Sequence, residues 1–372
     1  MSSTQLKIAS HYLLTPQGFY KNPLITVDRA TGEIVSIEQF GSDIDRMAGV
    51  EFYSGILCRG FVNAHCHSEL SYLKGAIPQH GGYAAFASAM AAVRNNFTPE
   101  ERLAALRDAD AQMWAEGIDA VADIVNDNSS FAVKSSSKIK YHSFAEVFGL
   151  KKSNIEQCRA LTCNPDTTLT PHSIYSVQDS DFTAVCNDGN YPLSIHFKES
   201  EGEELLFRGK GSLAEWYSTV GFECDFLHYG SAAHRIVESI PATRSVMLVH
   251  NSFVTQEDIE LIMSHFTAPI YWVLCPRSNQ YISGNITDTV HLLRKNGLNI
   301  CIGTDSLASN TSLSIIEELK CFTDIPLEEL LHWATDNGAA ALGVAQKGLI
   351  NICGADLSAM RITPETEVKR VL

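Results

Sequence analysis

The chain has 372 residues, 45% of them hydrophobic and 19% charged, with a formal net charge of −15. That balance belongs to a well-buried globular enzyme and excludes a disordered chain. The negative charge excludes bulk electrostatic binding to nucleic acid or an anionic membrane, because polyanions would be repelled overall.

In chain order, residues 6–57 read as short strands broken by turns, with LITVD and EIVSIEQF forming a β-hairpin around Thr31-Gly32. From Ile56 the rhythm changes. Apolar runs at 56–65, 119–126, 140–149, 167–177, 191–197, 244–253, 269–276 and 299–306 alternate with helical stretches such as 99–117, 255–266 and 288–297. Thr255 is the expected N-cap of one of these helices. FECDFLHYGSAAH reads as a further strand, and 68–98, 126–137, 200–215 and 280–287 as loops. The tail from Gly348 returns to short strand-like runs. Eight apolar runs separated by helices imply a parallel sheet covered on both faces. The first run ends in NAHCHSELS, with no glycine-rich phosphate turn, which favours a closed barrel over an open doubly wound sheet. The expected fold is therefore α/β: a (β/α)8 TIM barrel over 56–347, with a small β-sandwich domain formed from 1–55 plus 348–372.

The ten cysteines stand singly, with no CxxC pair, as free thiols do in a reducing compartment. The opening MSSTQLKIAS lacks the apolar core of a signal peptide, and no stretch approaches the ~20 apolar residues that cross a bilayer. A cytoplasmic protein is expected.

The polar residues with chemistry collect at one end of the predicted strands, where barrel enzymes carry their reacting groups. His65 and His67 are two apart on a strand, so both imidazoles face the same side and suit zinc or iron. A chance HxH among thirteen histidines is the competing reading. His196 ends YPLSIH as a third nitrogen ligand or as a core histidine bonded to a carbonyl. Asp305 ends NICIGTD as a carboxylate ligand or as the N-cap of the next loop or helix. Together they complete a His3Asp set with a position open for water. Glu199, three residues past His196, is placed for proton transfer, or is an exposed charge of the KESEGEE run. His250 orients the attacking group or is a satisfied core histidine, and His172 is placed for substrate binding. Tyr72, Phe86, Trp216 and Tyr281 are candidates for stacking on an aromatic ring.

Six stretches, GFVNAHCHSELS, LTPHSIYS, SIHFKES, LVHNSFV, CPRSN and IGTDSLASN, occur in the order found in the amidohydrolase superfamily. The chain resembles its deaminase and chlorohydrolase branch, which includes guanine, cytosine, S-adenosylhomocysteine and aminofutalosine deaminases. The resemblance implies metal ligation by His65, His67, His196 and Asp305, proton shuttling by Glu199, orientation of hydroxide by His250 and substrate contact by His172. The fourth run has no lysine of the kind that bridges two metals in related enzymes, which implies one divalent ion, zinc before iron. The expected activity is hydrolytic deamination of an amino-substituted aromatic heterocycle of purine, pterin or adenosyl type, with Glu199, His250 and Asp305 catalytic and with release of ammonia. The alternatives are hydrolysis of a C–Cl or amide bond, and a barrel that binds metal or ligand without catalysis. The expected partner is a small-molecule substrate, with neither nucleic acid nor membrane, and a homodimer as the candidate assembly.

Overall fold

The computed structural model describes residues 5–41, 48–286 and 288–372. Five strands open the chain: β1 (Gln5–Thr15), β2 (Gly18–Lys21), β3 (Pro23–Asp28), β4 (Ile34–Gln39) and β5 (Val50–Arg59). β3 and β4 pair antiparallel across the Thr31-Gly32 turn, where Gly32 takes a left-handed φ of +71°. The run at 56–65 divides in two. Ile56–Arg59 completes β5, and after Gly60 a separate strand begins.

That strand, β6 (Phe61–Cys66), is the first of eight parallel ones. It is followed by β7 (Ile118–Val125), β8 (Lys140–Val147), β9 (Thr167–Pro171), β10 (Leu193–Phe197), β11 (Val246–His250), β12 (Ile270–Leu274) and β13 (Asn299–Ile302). Each overlaps one of the eight apolar runs, and β6 and β7 overrun theirs by one residue. Two four-stranded ladders result, β6–β9 and β10–β13, and nearly every residue in them is buried, as parallel strands covered by helices require. Alternation divides the side chains. Leu248 and Trp272 pack outward against helices, whereas Met247, Val249 and Val273 join Ala64, Phe144 and Cys301 in a second, inner cluster.

The ladders meet at two seams. At one, Ser173 bridges His196, and at the other Cys66 bridges Asp305, both in parallel sense. Each bridge lies at the C-terminal ends of the strands it joins. Of the last strands, β14 (Leu349–Cys353) pairs back onto β5, and β15 (Glu367–Arg370) pairs with β14. With β1–β4 they form one seven-stranded sheet, connected by hydrogen bonds as a single sheet rather than two facing ones.

The helices follow their sequence signals where caps are present. Thr98 and Glu101 form a capping box before Pro99–Ala115, and Thr255 with Asp258 does the same before Gln256–His265. Several expectations fail, among them the loop at 200–215, which holds the helix Glu201–Phe207 and the start of Gly211–Val220, and the loops at 126–137 and 280–287, which hold Phe131–Lys134 and the end of Pro276–Ser283. FECDFLHYGSAAH forms a single 3₁₀ turn at Leu227–Tyr229 and then the helix Ala232–Ser239, because Gly230 (φ +76°) stops the first and Ser231 caps the second. The loop expected over 68–98 contains the helix Gly82–Val93, whose alanine-rich sequence GYAAFASAMAAV favours that state. Among the described residues no helix is long and apolar enough to cross a membrane.

Candidate metal centre and active site

The strand ends bring the expected residues to one mouth. His65 lies in β6 with His67 just beyond it, and their Nε2 atoms are 3.2 Å apart. His196, on β10, places its Nε2 3.4 Å from that of His67. Asp305 follows β13 across the seam, where Thr304 and Asp305 both donate their backbone N–H to the His65 carbonyl at 3.0 Å. This fold-back requires a left-handed φ of +57° at Asp305. One carboxylate oxygen, Oδ2, accepts hydrogen bonds from Ser278 (2.6 Å) and Ser309 (2.7 Å). The other, Oδ1, faces His65 Nε2 at 3.8 Å and His67 Nε2 at 3.6 Å.

These atoms fit a divalent cation. Ligands held tetrahedrally at ~2.0–2.1 Å from zinc lie about 3.4 Å from each other, close to the observed separations. His196 Nδ1 donates to the His172 carbonyl at 2.8 Å, which leaves its Nε2 lone pair pointing inward. Converging imidazole lone pairs repel one another, and a cation bound between them would relieve that repulsion. Burial lowers the pKa of His65, His67 and His196, so the neutral form that ligates is the one favoured.

Glu199 is 8% exposed, so it is not a solvated member of the acidic run. The chain reaches it through Lys198, whose φ is +53°. Glu203 holds that elbow: its carboxylate accepts the backbone N–H groups of Lys198 (2.7 Å), Glu199 (2.6 Å) and Ser200 (3.1 Å). Tyr175 donates its hydroxyl to Glu199 Oε2 at 3.0 Å, and Oε1 lies 3.8 Å from His250 Nε2. Burial pushes Glu199 up to about 7, against the pull of His196. His250 ends β11 with a φ of +78°, and its Nδ1 donates to Asn279 Oδ1 at 2.9 Å. Its Nε2 is buried with no hydrogen-bond partner, facing the same space.

His172 stands outside the His65–His67–His196 cluster. It stacks on His196, with ring centroids 4.5 Å apart, and bonds Ser176 through Nδ1 at 2.8 Å. His67, His172, Tyr175, His196, Glu199 and Asp305 border a cavity of about 560 Å³, lined also by Tyr72, Tyr83, Phe86, Met90, Trp216 and Phe222. Of the four stacking candidates, Tyr281 is not in that lining. Its hydroxyl is bound to the Ile77 carbonyl at 2.6 Å, which turns it toward the segment after β6. Sequence reasoning missed Glu146, Asn126, Tyr175, Ser278 and Asn279. Glu146 was findable, since a carboxylate inside the apolar strand KYHSFAEV calls for the same explanation as Asp305.

A mouth of inward-facing imidazoles and carboxylates at the C-terminal ends of parallel strands defines a hydrolase with a metal-capable site. The chain belongs to the amidohydrolase family, whose model matches residues 56–372. It is 28% identical to an adenosine deaminase of Helicobacter pylori over 331 residues, covering 82% of this chain and 79% of that protein. Among solved structures it is similar to the Helicobacter pylori aminofutalosine deaminase in complex with methylthio-coformycin (TM-score 0.81, 24% identity, 99% of this chain and 100% of that one). It is also similar to the zinc complex of atrazine chlorohydrolase from Arthrobacter aurescens (TM-score 0.71, 16% identity, 95% of this chain and 90% of that one).

Proposed function

We propose that the protein is a zinc hydrolase that deaminates an adenosine-type nucleoside, using His65, His67, His196 and Asp305 as ligands. The observation that carries the reading is Glu199: a buried carboxyl raised to about 7, beside the candidate ligands and opposite the free nitrogen of His250. The names of the relatives support the choice of an adenosine-type ring, and those relatives are hydrolases of carbon–nitrogen bonds.

A divalent ion bound there supplies Lewis acidity, lowering the pKa of water at the site toward ~7. Asp305 takes up the proton released as water is activated, through Oδ1, while Ser278 and Ser309 hold Oδ2 still. Glu199 gives a proton to a ring nitrogen, which makes the amino-bearing carbon electrophilic, and then assists the departure of ammonia. His250, fixed by Asn279, aligns the attacking oxygen and stabilises the tetrahedral intermediate. His172 contacts the substrate from the next face of the cavity.

Ammonia release from adenosine, 5′-methylthioadenosine, guanine and a pterin, by zinc-loaded protein, tests the activity. With zinc content held equal, Glu199→Gln should lower kcat by about 10²–10⁴-fold. Near-normal turnover would remove Glu199 from this role. We further read residues 56–347 as a closed (β/α)8 barrel, and 1–55 with 348–372 as a small β-domain built on one sheet. The two seam bridges, and the pairing of β14 with β5 and of β15 with β14, support that reading.

A further inference from the structure

Glu146 is a buried carboxyl that the proposed reaction does not use. It lies at the C-terminal end of β8, 4% exposed, and lines the cavity. Oε2 accepts a hydrogen bond from Asn126 Nδ2 at 3.3 Å, whereas Oε1 has no hydrogen-bond partner. Oε1 lies 4.0 Å from His172 Nε2, too far for a direct bond. A buried carboxylate oxygen without a donor is unfavourable, and the protein does not resolve it.

The surroundings keep Glu146 in this position. Its carbonyl receives Asn154 Nδ2 (2.9 Å) and Cys158 Sγ (3.1 Å). Asn126 is itself fixed by Glu69, which accepts its backbone N–H at 2.8 Å and the Ser130 hydroxyl at 2.8 Å. The cavity is lined elsewhere by aromatic and apolar side chains, Phe86, Met90, Trp216 and Phe222 among them. Its lining is therefore of two unlike kinds, a rigid acceptor and an apolar surface.

We propose that Glu146 is a specificity residue: its free oxygen accepts a hydrogen bond from a donor on the substrate, orienting the donor-bearing edge toward β8 and the apolar part toward Trp216 and Phe86. The proposal rests on the deaminase reading above. Two parts of a nucleoside carry such donors, the sugar hydroxyls and the N–H groups of the base. Glu146, His172 and His196 also form a second group with metal-ligand spacing. However, His196 Nε2 already faces His67, and its Nδ1 is committed to the His172 carbonyl. Recognition of substrate is the role left to Glu146.

The experiment uses zinc-loaded protein with Glu146→Gln and Glu146→Ala, adenosine and adenine as substrates, and calorimetric binding of inosine as a readout separate from turnover. In Glu146→Gln, either orientation of the amide sets an N–H against a donor, from Asn126 or from the substrate. The expected result is a KM for adenosine and a Kd for inosine raised about 10- to 100-fold in both variants, with kcat within about threefold and zinc content unchanged. A matching loss with adenine assigns the donor to the base, and a loss confined to adenosine assigns it to the sugar. Unchanged KM and Kd in both variants overturn the proposal, as does loss of zinc, which would make Glu146 a ligand. Ammonia release by the unsubstituted protein separates these outcomes from failure of the deaminase reading, since its absence with every substrate overturns both.

Discussion

Asp305, His250, Asn251 and Lys198 all have φ between +50° and +80°, a region that non-glycine residues seldom occupy, and all lie at strand ends around the mouth. Backbone of this kind persists only where neighbouring bonds over-determine it. Asn251 Nδ2 binds the carbonyls of Leu248 (2.7 Å) and Val273 (3.1 Å), and Glu203 grips three consecutive N–H groups around Lys198. Glu203 is thus a positioning residue for Glu199. Glu203→Gln should lower kcat about 10- to 100-fold, with KM and zinc content near normal, and a parallel rise in KM would argue for general misfolding instead. Gly303 is constrained differently. A Cβ there would meet Cβ, N and O of His65 at 2.8–3.0 Å, so Gly303→Ala should push the seam apart. Zinc affinity measured against a competing chelator should fall about tenfold or more, and unchanged affinity would show that the seam yields without moving His65. The ligand residues were legible because spacing and strand-end placement mark them. Glu146 carried only a weaker mark, a carboxylate inside an apolar strand with no histidine pair or motif beside it.

At the scale of elements, the eight parallel strands could be read from their apolar runs, but their limits could not. The run 167–177 continues past β9 as loop, although His172 still donates its N–H to the Val147 carbonyl and its own carbonyl accepts that of His196 at 2.9 Å. Helix Gly82–Val93 was missed for a physical reason. It buries none of its residues, since one side faces solvent and Tyr83, Phe86 and Met90 face the cavity, so no ordinary core pattern marks it. At the opposite end of the parallel strands, His142 near the start of β8 bonds Thr168 at 3.0 Å, and burial lowers its pKa to about 4. In the folded protein it stays neutral between pH ~6.5 and 4, whereas the unfolded chain takes up a proton there. Its contribution to stability is therefore present above pH ~6.5 and is lost as the pH falls through that window. Urea midpoints measured from pH 7 to 4 should decline less steeply in His142→Gln, and parallel slopes would exclude this source.

At the scale of the molecule, the terminal sheet is attached to the parallel ladders by Arg370. From β15 its guanidinium reaches Asp119 (2.9 Å) and the carbonyls of Trp114 (2.7 Å) and Ile118 (3.0 Å), and it lies 3.5 Å from the centroid of the Trp114 ring. Asp119 in turn accepts the Gly348 N–H at 2.6 Å, where the chain leaves the ladders. Arg370→Met leaves Asp119 buried without its counter-charge, and should cost about 3 kcal/mol in denaturant titration. A loss below about 0.5 kcal/mol would mean the sheet is held by its apolar face alone. None of this attachment was legible, because partners about 250 residues apart share no local pattern.

The two seams have a consequence for the chain as a polymer. His65 and His67 belong to the first ladder, while His196 and Asp305 belong to the second, and the bridging pairs Cys66–Asp305 and Ser173–His196 place those residues at the seams themselves. One ion shared by all four would act as a clasp, closing a loop of 129 residues between His67 and His196. Closure entropy grows only slowly with length, so a clasp across so long a loop restrains the unfolded chain at least as strongly as a short crosslink does. The residues proposed to carry the reaction are then also those that fasten one half of the molecule to the other.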